Sequence, residues 1–298
     1  MASLKEVKNR ISSVKSTQKI TSAMKMVASS KLHRAQQAIE SMLPYEHCLD
    51  SIMSSFVAAS EGEIASPYSA QRDIKNVAIV VFSSNSSLCG AFNANVAKLL
   101  AHSIEEYKCK GINVRIGVVG KKIADTVRKS GLEVAFDASE QLDHPSYDSA
   151  AKLAESLMES FAKGDVDKVE FIYHHFKSTS SQVLTNGSFL PIEFETAKDD
   201  GEGNGEKKNI TPRIKANYIF EPSLKDLTKD LIPHTLKLKL YTAFLDTLAS
   251  EHAARVIAMQ QATDNADELL RDLTLTYNKT RQQAITTELL DIVGGSMH

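Results

Sequence analysis

Three short runs in this sequence carry residue types that could do chemistry. Gly117-Val118-Val119-Gly120-Lys121-Lys122 has the glycines and lysine of a phosphate loop, in which backbone N–H groups cradle phosphate and the lysine neutralises it. Four residues should separate the glycines, and Ser or Thr should follow the lysine; neither holds here. Cys89-Gly90-Ala91-Phe92-Asn93 falls between an expected strand and an expected helix, where a dinucleotide turn would sit. It lacks the repeated glycines that let a pyrophosphate approach, and so reads as a tight β-to-α turn. His174 and His175 are adjacent in an expected strand, so they point to opposite faces and cannot chelate one ion together. No Ser/His/Asp or Cys/His set stands out, and Cys48, Cys89 and Cys109 share no metal or redox spacing. They read as reduced thiols of an intracellular protein. The expectation is a chain with no catalytic centre, metal or cofactor of its own.

Charge offers a different kind of chemistry. The 298 residues carry a net charge of −2, which argues against general polyanion binding. Residues 1–40 nevertheless hold Lys5, Lys8, Arg10, Lys15, Lys19, Lys25, Lys31 and Arg34 against only Glu6 and Glu40. This basic face could meet nucleic acid or an acidic protein. Aromatic residues that would stack on bases are absent from it, which favours the protein.

The elements that must present this face are long helices. From Leu4, apolar and small residues recur at Val7, Ile11 and Val14, pass through Gln18 and Thr21, and continue at Met24, Ala28, Leu32, Ala35, Ile39 and Met42. The spacing of three and four is that of a coiled-coil seam. Ser3 and Glu6 form a capping box at its start, and Pro44 predicts a kink or restart before Leu49, Ile52, Met53 and Phe56 resume the stripe. Gly62, Ser66 and Pro67 end it. At the other terminus, Leu236 to Val293 contains neither proline nor glycine, and Tyr241, Leu245, Leu248, His252, Val256, Met259, Thr263, Ala266, Leu270, Leu273 and Tyr277 repeat the same spacing. A helix about 85 Å long follows, too long to stand without a partner.

Between residues 74 and 220 the pattern changes to short β-branched runs alternating with amphipathic helices, which predicts a mainly parallel sheet with an antiparallel edge. Strands are expected at Val77–Phe82, Val114–Val119, Val134–Phe136 and Val169–His175, and helices at Ala91–Tyr107, Lys121–Lys129 and Tyr147–Ala162. Ser180–Ile192, with Asn186-Gly187 inside it, is one bent strand or a hairpin. Lys198–Asn209 is a polar loop, and Ala216–Phe220 a last strand. The fold class is therefore α/β: an antiparallel coiled coil of long terminal helices, residues 1–62 and 223–298, plus a central Rossmann-like domain at 74–220. The C-terminal helix is the longer, so one end of it should overhang.

Both termini closely resemble the gamma-subunit family of the F-type ATP synthases. The strings that carry the resemblance are Thr17-Gln18-Lys19-Ile20-Thr21-Ser22-Ala23-Met24-Lys25-Met26-Val27-Ala28, Met259-Gln260-Gln261-Ala262-Thr263-Asp264-Asn265-Ala266, Tyr277-Asn278-Lys279-Thr280-Arg281-Gln282 and Ile285-Thr286-Thr287-Glu288-Leu289-Leu290. Leu88-Cys89-Gly90-Ala91-Phe92-Asn93 matches in the middle. The resemblance implies a non-catalytic rotor shaft whose coiled coil enters a ring of three alpha and three beta subunits. Its α/β domain would sit on the c-subunit ring and hold epsilon, with nucleotide and Mg²⁺ bound by alpha and beta. It implies that Met24 and Lys25 meet an acidic loop of the beta subunits, and that Arg281 and Gln282 meet a second beta loop. Thr286 and Glu288 would extend that surface. No nucleic acid, cofactor or membrane span is implied, and the complex would be peripheral on the cytoplasmic face of a bacterial inner membrane. The competing reading is a basic coiled coil that binds nucleic acid or acts as a scaffold.

Two departures stand out. Ser83-Ser84-Asn85-Ser86-Ser87 replaces a charged run of many relatives, and Gly294-Gly295-Ser296-Met297-His298 replaces their small, Ala-rich tail.

Overall fold

A computed structural model describes residues 4–59, 66–70, 72–143, 145–192 and 224–295. The proposed Ser3 cap, the Gly62 stop, the Lys198–Asn209 loop and the Ala216–Phe220 strand lie outside these residues. Two units divide the chain. The larger contains residues 34–87 and 91–251 and is built on a five-stranded sheet.

The strands are β1 (Asn76–Phe82), β2 (Asn113–Val119), β3 (Val134–Asp137), β4 (Lys168–Ser178) and β5 (Ser181–Leu190), in the order β3-β2-β1-β4-β5. The first four are parallel, and β5 pairs antiparallel with β4 at the edge. Helix α1 spans Leu4–Ala59, α2 Phe92–Cys109, α3 Lys121–Lys129, α4 Tyr147–Lys163 and α5 Leu224–Gly295. The alternatives for Ser180–Ile192 resolve to a single strand. Asn186 and Gly187 pair with Ile172 and Phe171 in mid-ladder, and the reversal is made at Thr179-Ser180.

Both sheet faces are covered, which is why β1 reads as a continuous apolar run. Successive side chains alternate sides. Val77, Ile79 and Val81 pack with Val96, Leu100 and Ile104 of α2 and Ile123 and Val127 of α3. Ala78, Val80 and Phe82 face the other way, onto Ala154, Leu157 and Phe161 of α4. That second core also takes in Ile232, Leu236, Leu240 and Phe244, a helical stripe from the first third of α5. Phe82 meets Phe244 edge to face, with ring centroids 5.2 Å apart.

Pro44 and Pro233 both lie inside continuous helices. Leu49 and Met53 resume the stripe beyond Pro44 as buried residues, but Ile52 does not: it is 46% exposed. Three residues after Leu49 and one before Met53, it points away from the core face that those two occupy.

Candidate functional site

The second unit comprises the chain up to His33, Leu88–Gly90, and the chain from His252 onward. Its α1 and α5 segments are joined by a ladder of polar side chains. Gln18 Nε2 donates to Asp267 Oδ1 at 2.5 Å, the Thr21 and Thr263 hydroxyls share a hydrogen bond of 2.8 Å, and Lys25 Nζ donates to Gln260 Oε1. As one number rises the other falls, so the helices run antiparallel. Polar pairs in an otherwise apolar seam give up some stability and favour one register, because a slip would separate each half-buried group from its partner. Around them Val7, Ala28, Leu32, Met259 and Ala266 are buried, while Leu270, Leu273 and Tyr277 are half-buried.

This register places the described part of α1 along α5. Extended along the helices, it sets Leu4, where the description of α1 begins, opposite residue 281, about 32 Å along α5 from Gln260. Burial agrees with it: Thr280 is half-covered, and every residue from Arg281 to Val293 is exposed. Among the described residues, the uncovered stretch of α5 therefore begins at Arg281.

The expected contact residues form two separate patches. Met24 and Lys25 lie together within the coil, both half-buried, and the Lys25 ammonium is engaged by Gln260 instead of projecting free. Arg281, Gln282, Thr286 and Glu288 are all exposed on the overhang. Arg281 and Glu288, seven residues apart, share a face. The Thr286 hydroxyl donates to the Gln282 carbonyl at 2.9 Å, so its own helix already uses that donor.

Several exposed apolar side chains accompany these patches. Ile20, Met26 and Val27 are 59%, 66% and 58% exposed, and Ile285, Leu289, Leu290, Ile292 and Val293 continue an apolar surface along the overhang. The available signal was that Ile20, Met26 and Val27 fall off the three/four stripe on a helix whose outer face is otherwise polar. Single exposed apolar residues are common, and only their clustering distinguishes these.

The turn that imitates a phosphate site is occupied by the chain itself. The N–H groups of Gly120, Lys121 and Ile123 donate to Ser139 Oγ, Asn85 Oδ1 and Ser83 Oγ at 3.1, 3.0 and 3.1 Å, and the N–H of Lys122 donates to the Ser84 carbonyl at 3.1 Å. These are the donors that a helix N-terminus would offer to an anion. The Asn85 amide also donates to the Ser139 carbonyl at 3.0 Å and to Asp143 Oδ1 at 2.8 Å, so the uncharged run at 83–87 caps α3 and ties it to the 3-10 turn at Ser139–Leu142. The glycines have packing reasons. A Cβ on Gly117 would lie 2.1 Å from the Phe136 ring; Gly120 has φ of 122° and passes against Ser83.

His174 and His175 do face opposite ways. His174 is 4% exposed and stacks on Phe92 with centroids 4.1 Å apart; His175 points outward and bonds Asp246 at 2.6 Å. Burial lowers His174 to a pKa of about 4, and pushes the Asp246 carboxyl up although the His175 contact pulls it down. In the coil unit, burial first, then Arg255 and Lys31, lower His252 to about 4. The Nδ1 atoms of both buried rings lack a hydrogen-bond partner.

A histidine kept neutral by folding binds fewer protons than it does unfolded. Stability is then fully present above pH 6.5 and is lost as pH falls toward 4, by about 1.4 kcal/mol per pH unit per ring at the steepest. Urea unfolding of the full chain should give a lower midpoint at pH 5 than at pH 7. His174→Phe, which keeps the stacking, should remove part of that difference. Asp246 acts in the opposite sense, so the histidine contribution is read from the variant against the wild type. A midpoint difference unchanged by the substitution would show that His174 is not the group responsible.

Comparison with known proteins adds a second line of observation. A family model described as "ATP synthase" matches residues 3–297. The ATP synthase gamma chain of Bacteroides thetaiotaomicron is 55% identical over the whole of both chains, and that of Parabacteroides distasonis is 47% identical over 99% of each. Among solved structures, a chain of the Euglena gracilis mitochondrial ATP synthase (OSCP/F1/c-ring) matches with a TM-score of 0.64. It is 20% identical, and the match covers 99% of this chain and 93% of that one. A central stalk/c-ring chain from Tetrahymena thermophila mitochondrial ATP synthase matches with a TM-score of 0.56, at 20% identity, over 82% of this chain and 99% of that one. At this identity the two structures speak to the fold alone.

Proposed function

The chain belongs to the ATP synthase gamma chain family, and from that premise we propose that it is the asymmetric shaft through which rotation reaches three catalytic beta subunits. It is not itself the catalyst. The observation that carries the reading is the end of α5: from Arg281 the helix continues for more than three turns with every side chain exposed up to Val293. A segment with that much uncovered apolar surface is built to be covered by something else.

Beta subunits of identical sequence differ in affinity only if something unlike touches each of them. A two-helix shaft has no threefold symmetry, so each beta subunit meets a different face of it. A differential contact energy of about 5.5 kcal/mol carries a conformational equilibrium from 1:99 to 99:1. Turning the shaft then exchanges the three states in order. The basic outer face of α1 suits an acidic loop on beta, and the Arg281 guanidinium suits a carboxylate or carbonyl on a second loop. Because Gln260 holds the Lys25 ammonium, the exposed residues beside it, Met26 and Val27, carry the first contact as much as Lys25 does.

The remaining partners follow the same reading: three alpha and three beta subunits around the coil, with epsilon and the c-subunit ring on the α/β unit. Among the described residues no helix is long and apolar enough to cross a membrane. The same reading puts the subunit peripherally on the cytoplasmic face of a bacterial membrane. The nucleic-acid or scaffold reading finds no support in a full-length match to gamma chains. Purification through this chain should recover alpha and beta subunits at three each per copy. Recovery of nucleic acid, or of equal numbers of this chain and beta, would overturn the shaft reading.

A further inference from the structure

The helices of the sheet-bearing unit contain a device that the shaft reading does not require. We propose that α1 and α5 share a bending joint at Pro44 and Pro233, closed by a bridge of Tyr45, His234 and Tyr147. Proline has no N–H and its ring crowds the carbonyl four residues back, so each helix lacks a backbone rung at this point while continuing on both sides. The two gaps are at one level. Tyr45 and His234 each directly follow a proline, and the Tyr45 hydroxyl bonds His234 Nε2.

Hydroxyl groups loosen the same turns. Thr235 Oγ1 donates to the Leu231 carbonyl at 2.9 Å, the i−4 back-bond that bends helices, and Ser41 Oγ donates to the Ala38 carbonyl at 2.8 Å. Besides the apolar packing of Ile232 and Met53 in the second core, the imidazole holds the joint. Its second nitrogen, Nδ1, meets the Tyr147 hydroxyl of α4 at 3.2 Å. The Tyr45 ring stands edge-on to it, with centroids 6.0 Å apart, and Tyr147 also packs on Tyr241. Three helices therefore close on one side chain.

A tyrosine hydroxyl donates or accepts, so His234 keeps both partners in either tautomer. The bridge is accordingly a mechanical latch. With it closed, the end of α1 beyond Pro44 and the start of α5 before Pro233 are tied to α4. With it open, those two pieces bend as a pair about the proline level.

Hydrogen exchange on the full-length protein, as purified, tests this directly. Amides at 41–48 and 230–237 should exchange at least about tenfold faster than equally buried helical amides two turns away. Pro233→Ala, which restores a rung and favours helix, should slow the 230–237 window by about tenfold or more, and Pro44→Ala should do the same for 41–48. Tyr45→Phe keeps the ring and removes the hydroxyl, and should speed exchange in both windows while leaving the sheet unchanged. Wild-type windows as slow as their neighbours, or alanine variants without effect, overturn the joint. An unaltered pattern in Tyr45→Phe overturns the latch.

Discussion

ATP hydrolysis by the assembled complex should stop when Met26→Cys is oxidised to a disulfide with a cysteine on the beta-subunit loop proposed to face it, and should return on reduction. Met26 suits this better than Met24, because it is 66% exposed while Met24 is half-buried in the coil. Cys48 and Cys109 are exposed and need replacement by Ser first; Cys89 is buried and can stay. The size of the effect follows from geometry. A third of a turn carries a point on the surface of a two-helix coil, about 10 Å from the axis, through about 20 Å. A disulfide holds two Cα atoms within about 6 Å of each other, so rotation and an intact bond are incompatible. Activity should fall to the level of the uncross-linked fraction. Full turnover with the bond demonstrably formed would mean either that residue 26 does not move past beta or that this chain does not turn.

Replacing Arg281 and Gln282 together by Ala should lower rotation-coupled ATPase activity about tenfold while the complex still assembles. Both side chains are exposed at the very start of the overhang, so the fold should change by no more than about 0.5 kcal/mol. A charge-assisted hydrogen bond lost at a partner surface is worth about 1.5–3 kcal/mol, which covers a tenfold change in rate. Thr286→Ala should cost less, since the hydroxyl already serves its own helix. Glu288→Gln tests whether the shared face with Arg281 matters. Unchanged coupled activity in the double variant would remove Arg281 and Gln282 from the contact surface and leave the exposed apolar residues Leu289, Leu290 and Ile292 to account for it.

These two experiments address patches that the sequence brought out unequally. Arg281, Gln282, Thr286 and Glu288 are polar residues past the last apolar seam position, and a helix without a partner must expose what it carries. Their exposure was therefore legible. The environment of Lys25 was not. A lysine on a basic helix reads as a solvated charge until the facing helix supplies Gln260, a residue 235 positions away in the sequence.

Periodicity by itself determined both long helices, their mutual seam, and the alternation of strands and helices between them, because burial on one face imposes a period on the sequence whatever the neighbour is. It also made the antiparallel edge expected, though not whether Asn186-Gly187 turned or paired. Register could only come from tertiary structure, since many offsets of a three/four stripe bury the same number of apolar residues. The pairs Gln18–Asp267, Thr21–Thr263 and Lys25–Gln260 select one offset. The same holds for the first third of α5: Ile232, Leu236, Leu240 and Phe244 form a helical stripe, and only the sheet's second face, with Phe82 against Phe244, decides that this stretch belongs to the α/β core.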